Sequence, residues 1–142
     1  MISEDSELLD IITKFIYILV ILIVFSSLFV MMMVNKNFLN VSKFEKIIKN
    51  KDNALLLVRK SDCKKCGSIE KELKKSNVKY FVLNTDNDKR RDIIFKKMNI
   101  TSSDIEEPSV VYVKDGGVYS ILVDIQKIND LNKYLEYNNL TN

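Results

Sequence analysis

The hydrophobic pattern changes character near residue 35. Residues 15–34, FIYILVILIVFSSLFVMMMV, carry no charge, and their only polar side chains are Tyr17, Ser26 and Ser27. At about 1.5 Å per residue such a run makes a helix about 30 Å long, the hydrocarbon thickness of a bilayer. Apolar residues fall on every side, so no solvent-facing stripe remains. The pattern predicts a short acidic tail over residues 1–14, a transmembrane helix over residues 15–34 and a soluble domain over residues 35–142. A cleaved signal peptide would start basic, carry a shorter apolar core and end at small residues. This chain opens MISEDSELLD and its apolar run ends MMMVNKN.

Beyond residue 35 the apolar positions are periodic. NKNFLN is a short connection with room for a small strand. Ser42, with Glu45 three residues on, has the spacing of a capping box, and Phe44, Ile47 and Ile48 mark one helical face. ALLLV, residues 54–58, is a continuous apolar run that suits a strand covered on both faces. SIEKELKKS reads as a helix, with Cys66, Ile69 and Leu73 on one side. KYFVLN, residues 79–84, is a second strand, and DKRRDIIFKKMNI a helix with Ile94, Phe95 and Met98 inward. Residues 110–113 form a third strand. KDGG, residues 114–117, is a tight hairpin turn because Asp-Gly tolerates positive φ. VYSILVDI returns, and a last helix turns Ile128, Leu131 and Leu135 inward. The order is (β)-α-β-α-β-α-β-β-α. Helical crossovers predict parallel pairing among the first strands and the hairpin an antiparallel pair, hence a mixed sheet with helices on both faces.

Charge refines this picture. Lys14 is the only basic residue before residue 35, whereas Lys36, Lys43, Lys46, Lys49 and Lys51 follow soon after. The positive-inside rule places that flank, and the domain with it, in the cytoplasm; an extracytoplasmic domain is the alternative. The 22 basic and 19 acidic residues of the chain leave a net +6 on residues 35–142. The lysines are spread over several helices rather than clustered with aromatics, which argues against a nucleic-acid partner.

The two cysteines, Cys63 and Cys66, lie in KSDCKKCGSI, directly after the apolar strand and at the start of a helix. The spacing leaves three readings open: a redox pair, part of a metal site, or two packed side chains. A helix N-terminus favours a thiolate, and Lys64 and Lys65 act in the same direction, while Asp62 and Glu107 oppose them. A closed zinc site needs four ligands, and the chain holds no histidine and no third cysteine. A soft-metal carrier could still use two thiolates.

ALLLV leading into DCKKC, then KYFVLNTDND, then EEPSVVYVKDGGVY, resembles thioredoxin over residues 40–140. Among its relatives the chain is similar to membrane-anchored bacterial thioredoxin-like proteins, including bacteriocin-transport accessory proteins. The resemblance implies an α/β class, a thioredoxin-like fold with a central mixed β-sheet flanked by helices, here preceded by one N-terminal transmembrane helix. It makes Cys63 the attacking cysteine, Cys66 the resolving one and Pro108 a cis-proline beside them. The main chain of Glu107 would pair with an extended substrate segment. The sequence departs from thioredoxin in having Lys-Lys between the cysteines and Asp62 where that family has tryptophan. The family's buried aspartate falls at Leu57, and the glycine of its substrate groove near Asp124.

The resulting expectation is a membrane-anchored thiol–disulfide oxidoreductase that needs no metal or other cofactor. Its partners would be protein disulfide substrates and a thiol or disulfide electron-exchange partner. A non-catalytic thioredoxin-fold adaptor for a membrane partner is the alternative, and a soft-metal carrier a further one.

Overall fold

The computed structural model describes residues 2–34 and 37–142; Met1, Asn35 and Lys36, the last two part of the expected connection, lie outside them. The chain divides into two units, Met1–Lys36 and Asn37–Asn142.

The first unit is one helix, α1, Ile2–Val34. The expected acidic tail is therefore helical and continuous with the apolar run. Its residues suit a helix: acidic Asp5 and Glu7 lie near the N-terminus, where the helix dipole favours them, and Lys14 pairs with Asp10 one turn back at 2.6 Å. Within the apolar run, Ser26 and Ser27 donate their hydroxyls to the carbonyls of Ile23 and Val24. Their polarity is thus met inside the helix, as an apolar surround requires. An 18-residue stretch within Asp5–Met33 has a mean hydropathy of 2.8, and α1 is long and apolar enough to cross a membrane.

The second unit contains α2 (Val41–Asn50), β1 (Ala54–Arg59), α3 (Cys66–Leu73), β2 (Lys79–Asn84), α4 (Asp88–Met98), β3 (Ser109–Lys114), β4 (Gly117–Leu122) and α5 (Ile128–Tyr137), with a 3-10 turn at Ser102–Asp104 between α4 and β3. The strand order is β2-β1-β3-β4. β1 is parallel to β2 and antiparallel to β3, and β3 is antiparallel to β4.

Alternation along β1 divides the core. Ala54, Leu56 and Val58 face a cluster with Phe44 and Ile47 of α2 and Ile94, Phe95 and Met98 of α4. Leu55 and Leu57 face the opposite cluster, with Cys66, Ile69 and Leu73 of α3 and Leu131 and Leu135 of α5. This period-two division explains why ALLLV reads as uninterrupted: both of its faces are covered.

Three expectations need correction. The cap of α2 is Asn40, not Ser42: Asn40 is extended and its side chain accepts from the Lys43 N–H. Glu45 instead reaches Lys97 of α4 at 2.8 Å. The small strand before α2 amounts to a single bridge between Phe38 and Val82, on β2. Finally, β3 is not parallel to β1. After α4 closes with Asn99 in the left-handed region at φ 56°, residues 100–107 and the 3-10 turn return the chain to the end where β1 leaves the sheet, so Ser109 pairs with Val58.

The hairpin turn forms at KDGG as the sequence predicts, with φ 53° at Asp115 and 83° at Gly116. A side chain at residue 116 would also meet the Ile48 carbonyl oxygen of α2 at 3.0 Å, so glycine is required there on two counts.

Candidate active site

β1 ends at Arg59 and the cysteine loop follows at once, so the loop starts from the best-covered strand of the sheet. Polar residues after β2 hold it. The Arg59 carbonyl accepts both the main-chain N–H and the hydroxyl of Thr85. The Ser61 N–H donates to Asp86 at 3.1 Å, and Asn84 donates to the Ser61 hydroxyl at 2.7 Å. These bonds from Ser61 hold the Asp86 carboxyl below its ordinary range. Within the loop, the Cys63 N–H turns back to the Lys60 carbonyl.

α3 begins at Cys66, three residues after Cys63, and the two sulfurs form a disulfide with an S–S distance of 1.99 Å and a Cα–Cα distance of 5.5 Å. Their settings differ. Cys66 is wholly buried in the apolar cluster beneath α3. Cys63 is partly exposed and lines an open groove of about 540 Å³.

The register of β3 brings the proline segment to the same place. Because Ser109 pairs with Val58, the residues just ahead of Ser109 arrive where the cysteine loop begins. The Glu107–Pro108 peptide bond is cis, and Glu107 and Pro108 line the groove with Cys63. The segment is fixed from its other side: Asp124 donates its N–H to the Glu106 carbonyl and Ile125 to the Pro108 carbonyl, each at 2.9 Å. Asp124, where the resemblance puts a glycine, has φ 46°, a left-handed backbone that Asp tolerates better than most residues.

All six residues singled out from the sequence therefore meet in one groove or directly behind it. Lys64 and Lys65 line it too. The Lys65 ammonium donates to the Gln126 side-chain oxygen, and Gln126 donates in turn to Asp124. Leu57 is fully buried in the cluster that holds Cys66.

Sequence reasoning missed the far wall. Arg91, Phe95 and Ile105 also line the groove. Arg91 pairs with Asp88 at 2.8 Å and Asp92 at 2.9 Å. The Asp92 hydrogen bond, helped by the charges of Asp88 and Glu107, keeps its guanidinium above its ordinary value. It also missed the Ser61–Asn84–Asp86 bracing; the polar Asn-Thr-Asp run at the end of an apolar strand was the available signal. Among the described residues, no group of three or more His, Cys, Asp or Glu side chains could hold a metal ion.

No protein-family model matches the chain, and no curated protein sequence matches it. Solved structures do. The oxidised thioredoxin of Plasmodium falciparum is similar, with 20% identity and a TM-score of 0.51, over 68% of this chain and 90% of that one. Mitochondrial thioredoxin 3 of Saccharomyces cerevisiae, also oxidised, shares 19% identity with a TM-score of 0.51, over 69% and 90% of the two chains. Thioredoxin O2 of Arabidopsis thaliana in its oxidised state shares 16% identity with a TM-score of 0.51, over 68% and 86%. At such identities the likeness establishes the fold: the chain contains a thioredoxin fold, with a cysteine pair in disulfide geometry that fits redox activity.

Proposed function

We propose that the chain is a membrane-tethered thiol–disulfide oxidoreductase. The observation that carries this reading is the asymmetry of the disulfide: Cys63 opens to a groove walled by cis-Pro108, while Cys66 is sealed behind it. In the reduced chain, the Cys63 thiolate attacks one sulfur of a substrate disulfide. That bond breaks, a mixed disulfide forms and the departing sulfur takes up a proton. Cys66 then loses its proton and attacks the Cys63 sulfur. The second substrate thiol leaves, and the Cys63–Cys66 bond remains. Two electrons pass from the cysteine pair to the substrate, and the reverse sequence oxidises a dithiol.

The chain supplies orientation. The main-chain N–H and C=O of Glu107 make no hydrogen bond among the described residues, which leaves them to pair with an extended segment beside Cys63. Lys64 and Lys65 add positive charge that favours a thiolate at Cys63. α1 supplies the tether, and the basic flank favours a cytoplasmic domain, where a reducing partner would keep the pair reduced. Outside the cell, the same pair would serve oxidation or isomerisation.

The test is reduction of insulin and of cystine-bridged peptides by the full chain in detergent, with Cys63→Ser as control. Turnover that vanishes in the variant supports the reading; equal rates across all substrates would overturn it. Labelling of intact cells with a membrane-impermeant maleimide decides the side, since rapid reaction of Cys63 means an outward-facing domain. Leu57, buried where the resemblance puts an acid, motivates the second reading, a non-catalytic adaptor, which the same assay separates.

A further inference from the structure

Two buried side-chain polar atoms lack a hydrogen-bond partner among the described residues, Arg59 Nε and Glu107 Oε2. They are not equivalent. The Arg59 guanidinium already reaches Glu70 at 3.6 Å. Among the described residues the Glu107 side chain makes no hydrogen bond and no ion pair, although it lines the groove beside Cys63 and Pro108. A sheltered carboxylate oxygen with no donor is costly, and such a group in a native structure calls for a partner.

The other charges of the groove do not supply one. Lys65 is held by Gln126, and Arg91 by Asp88 and Asp92. Arg91 acts on Glu107 through its charge but forms no bond to it. Lys60 and Lys64 are exposed, as are Asp62 and Glu106. The apolar side chains of Phe95 and Ile105, each largely buried, line the same groove. The missing donor thus has a defined chemistry: a cationic head at the end of an apolar stem, which describes lysine and arginine.

We propose that Glu107 is a specificity-determining residue that selects substrate segments carrying a lysine or arginine within two positions of the attacked cysteine. The stem of that side chain lies against Phe95 and Ile105, and its head donates to Glu107 Oε2. Glu107 thereby reads a substrate twice, through its main chain and through its carboxylate. The proposal rests on the exchange reading above, and its test separates the two.

The experiment measures kcat/KM for the full chain in detergent with cystine-bridged peptides that differ only beside the cysteine, in Lys, Arg, Ser or Glu. A charge-assisted hydrogen bond in a sheltered site corresponds to a preference of about ten- to a hundred-fold for Lys or Arg over Ser. In Glu107→Gln that preference should fall to within about three-fold, and in Glu107→Lys the Glu peptide should become the better substrate. An active wild type that turns over all four peptides equally overturns the proposal without touching the exchange reading. A preference that persists in Glu107→Gln overturns it too, assigning selection to Asp62 or Glu106. Loss of activity on every peptide in wild type, matching Cys63→Ser, instead removes the exchange reading itself.

Discussion

Leu57 stands opposite Val82 in the parallel β1–β2 pairing, and both belong to the apolar cluster that encloses Cys66. The apolar cluster around Cys66 holds no carboxylate, amine or imidazole, and buried Thr85 and Ser109 are neither acids nor bases near neutral pH. Cys66 therefore has no proton acceptor within that cluster. A thiol ionises near pH 8.5 in water, and apolar enclosure disfavours the thiolate further. Release from the mixed disulfide should be limited by the thiolate fraction of Cys66, so its single-turnover rate should rise by about tenfold per pH unit from pH 6 to 8. Rapid-quench measurement of substrate release checks this; a plateau below pH 7 would reveal an acceptor that the cluster does not contain.

The bracing of the cysteine loop by Asp86 should be visible in stability. Its carboxyl is held below the ordinary value of 3.8 chiefly by its hydrogen bonds from Ser61. For a carboxyl whose folded value is depressed, the stabilisation is complete above the unfolded value and disappears as pH falls through the folded one. Asp86→Asn should therefore be less stable than wild type by a constant margin from about pH 5 upward, a margin that closes below pH 3.8. Urea titrations of both chains from pH 2 to 7 give the comparison. Hydrogen exchange at the Ser61 amide should be faster in the variant at neutral pH.

The elements legible in the sequence are those whose cause is local. ALLLV announces a doubly covered strand through its own composition, and Asp115-Gly116 announces a hairpin through the φ values it permits. What was not legible depends on distant partners. Ser42 and Glu45 have capping-box spacing, yet Glu45 is drawn to Lys97 on α4 and Asn40 takes the cap. The direction of β3 is set by where residues 100–107 deliver the chain, not by the presence of a crossover helix. In the groove, the cysteines and Pro108 carry chemical signatures. Arg91, Phe95 and Ile105 do not, because their place there follows from how α4 and the segment 100–107 after it lie over the sheet.

Tyr134 offers a probe of the α5 side of the sheet. Its hydroxyl bonds with the Ser120 hydroxyl at 2.9 Å and donates to the Ser120 carbonyl at 3.0 Å. Burial pushes its ionisation up to about 12 from 10.0. A group whose folded value is raised stabilises fully below the unfolded value and loses that contribution as pH climbs through the folded one. Tyr134→Phe should lose about 1 kcal/mol at pH 7 through the missing hydrogen bonds. The difference from wild type should shrink as pH climbs above 10 and reverse before pH 12, since only the tyrosine must ionise. Guanidinium denaturation at pH 7, 10 and 12 measures both effects.

The two lysines between the cysteines should contribute unequally to Cys63. Lys65 is tied to Gln126, which is itself tied to the negative Asp124, so its charge is partly offset where it stands. Lys64 is exposed and makes no ion pair or hydrogen bond among the described residues. Charges in contact with water act weakly, on the order of 0.5 kcal/mol each. Lys64→Gln together with Lys65→Gln should raise the pH midpoint of Cys63 alkylation by about one unit or less. Gln126→Ala, which frees the Lys65 ammonium, should lower that midpoint slightly. Iodoacetamide kinetics on the reduced chain, with Cys66→Ser to isolate Cys63, read all three. A midpoint unmoved by the double substitution would assign the activation of Cys63 to the main-chain N–H groups at the start of α3.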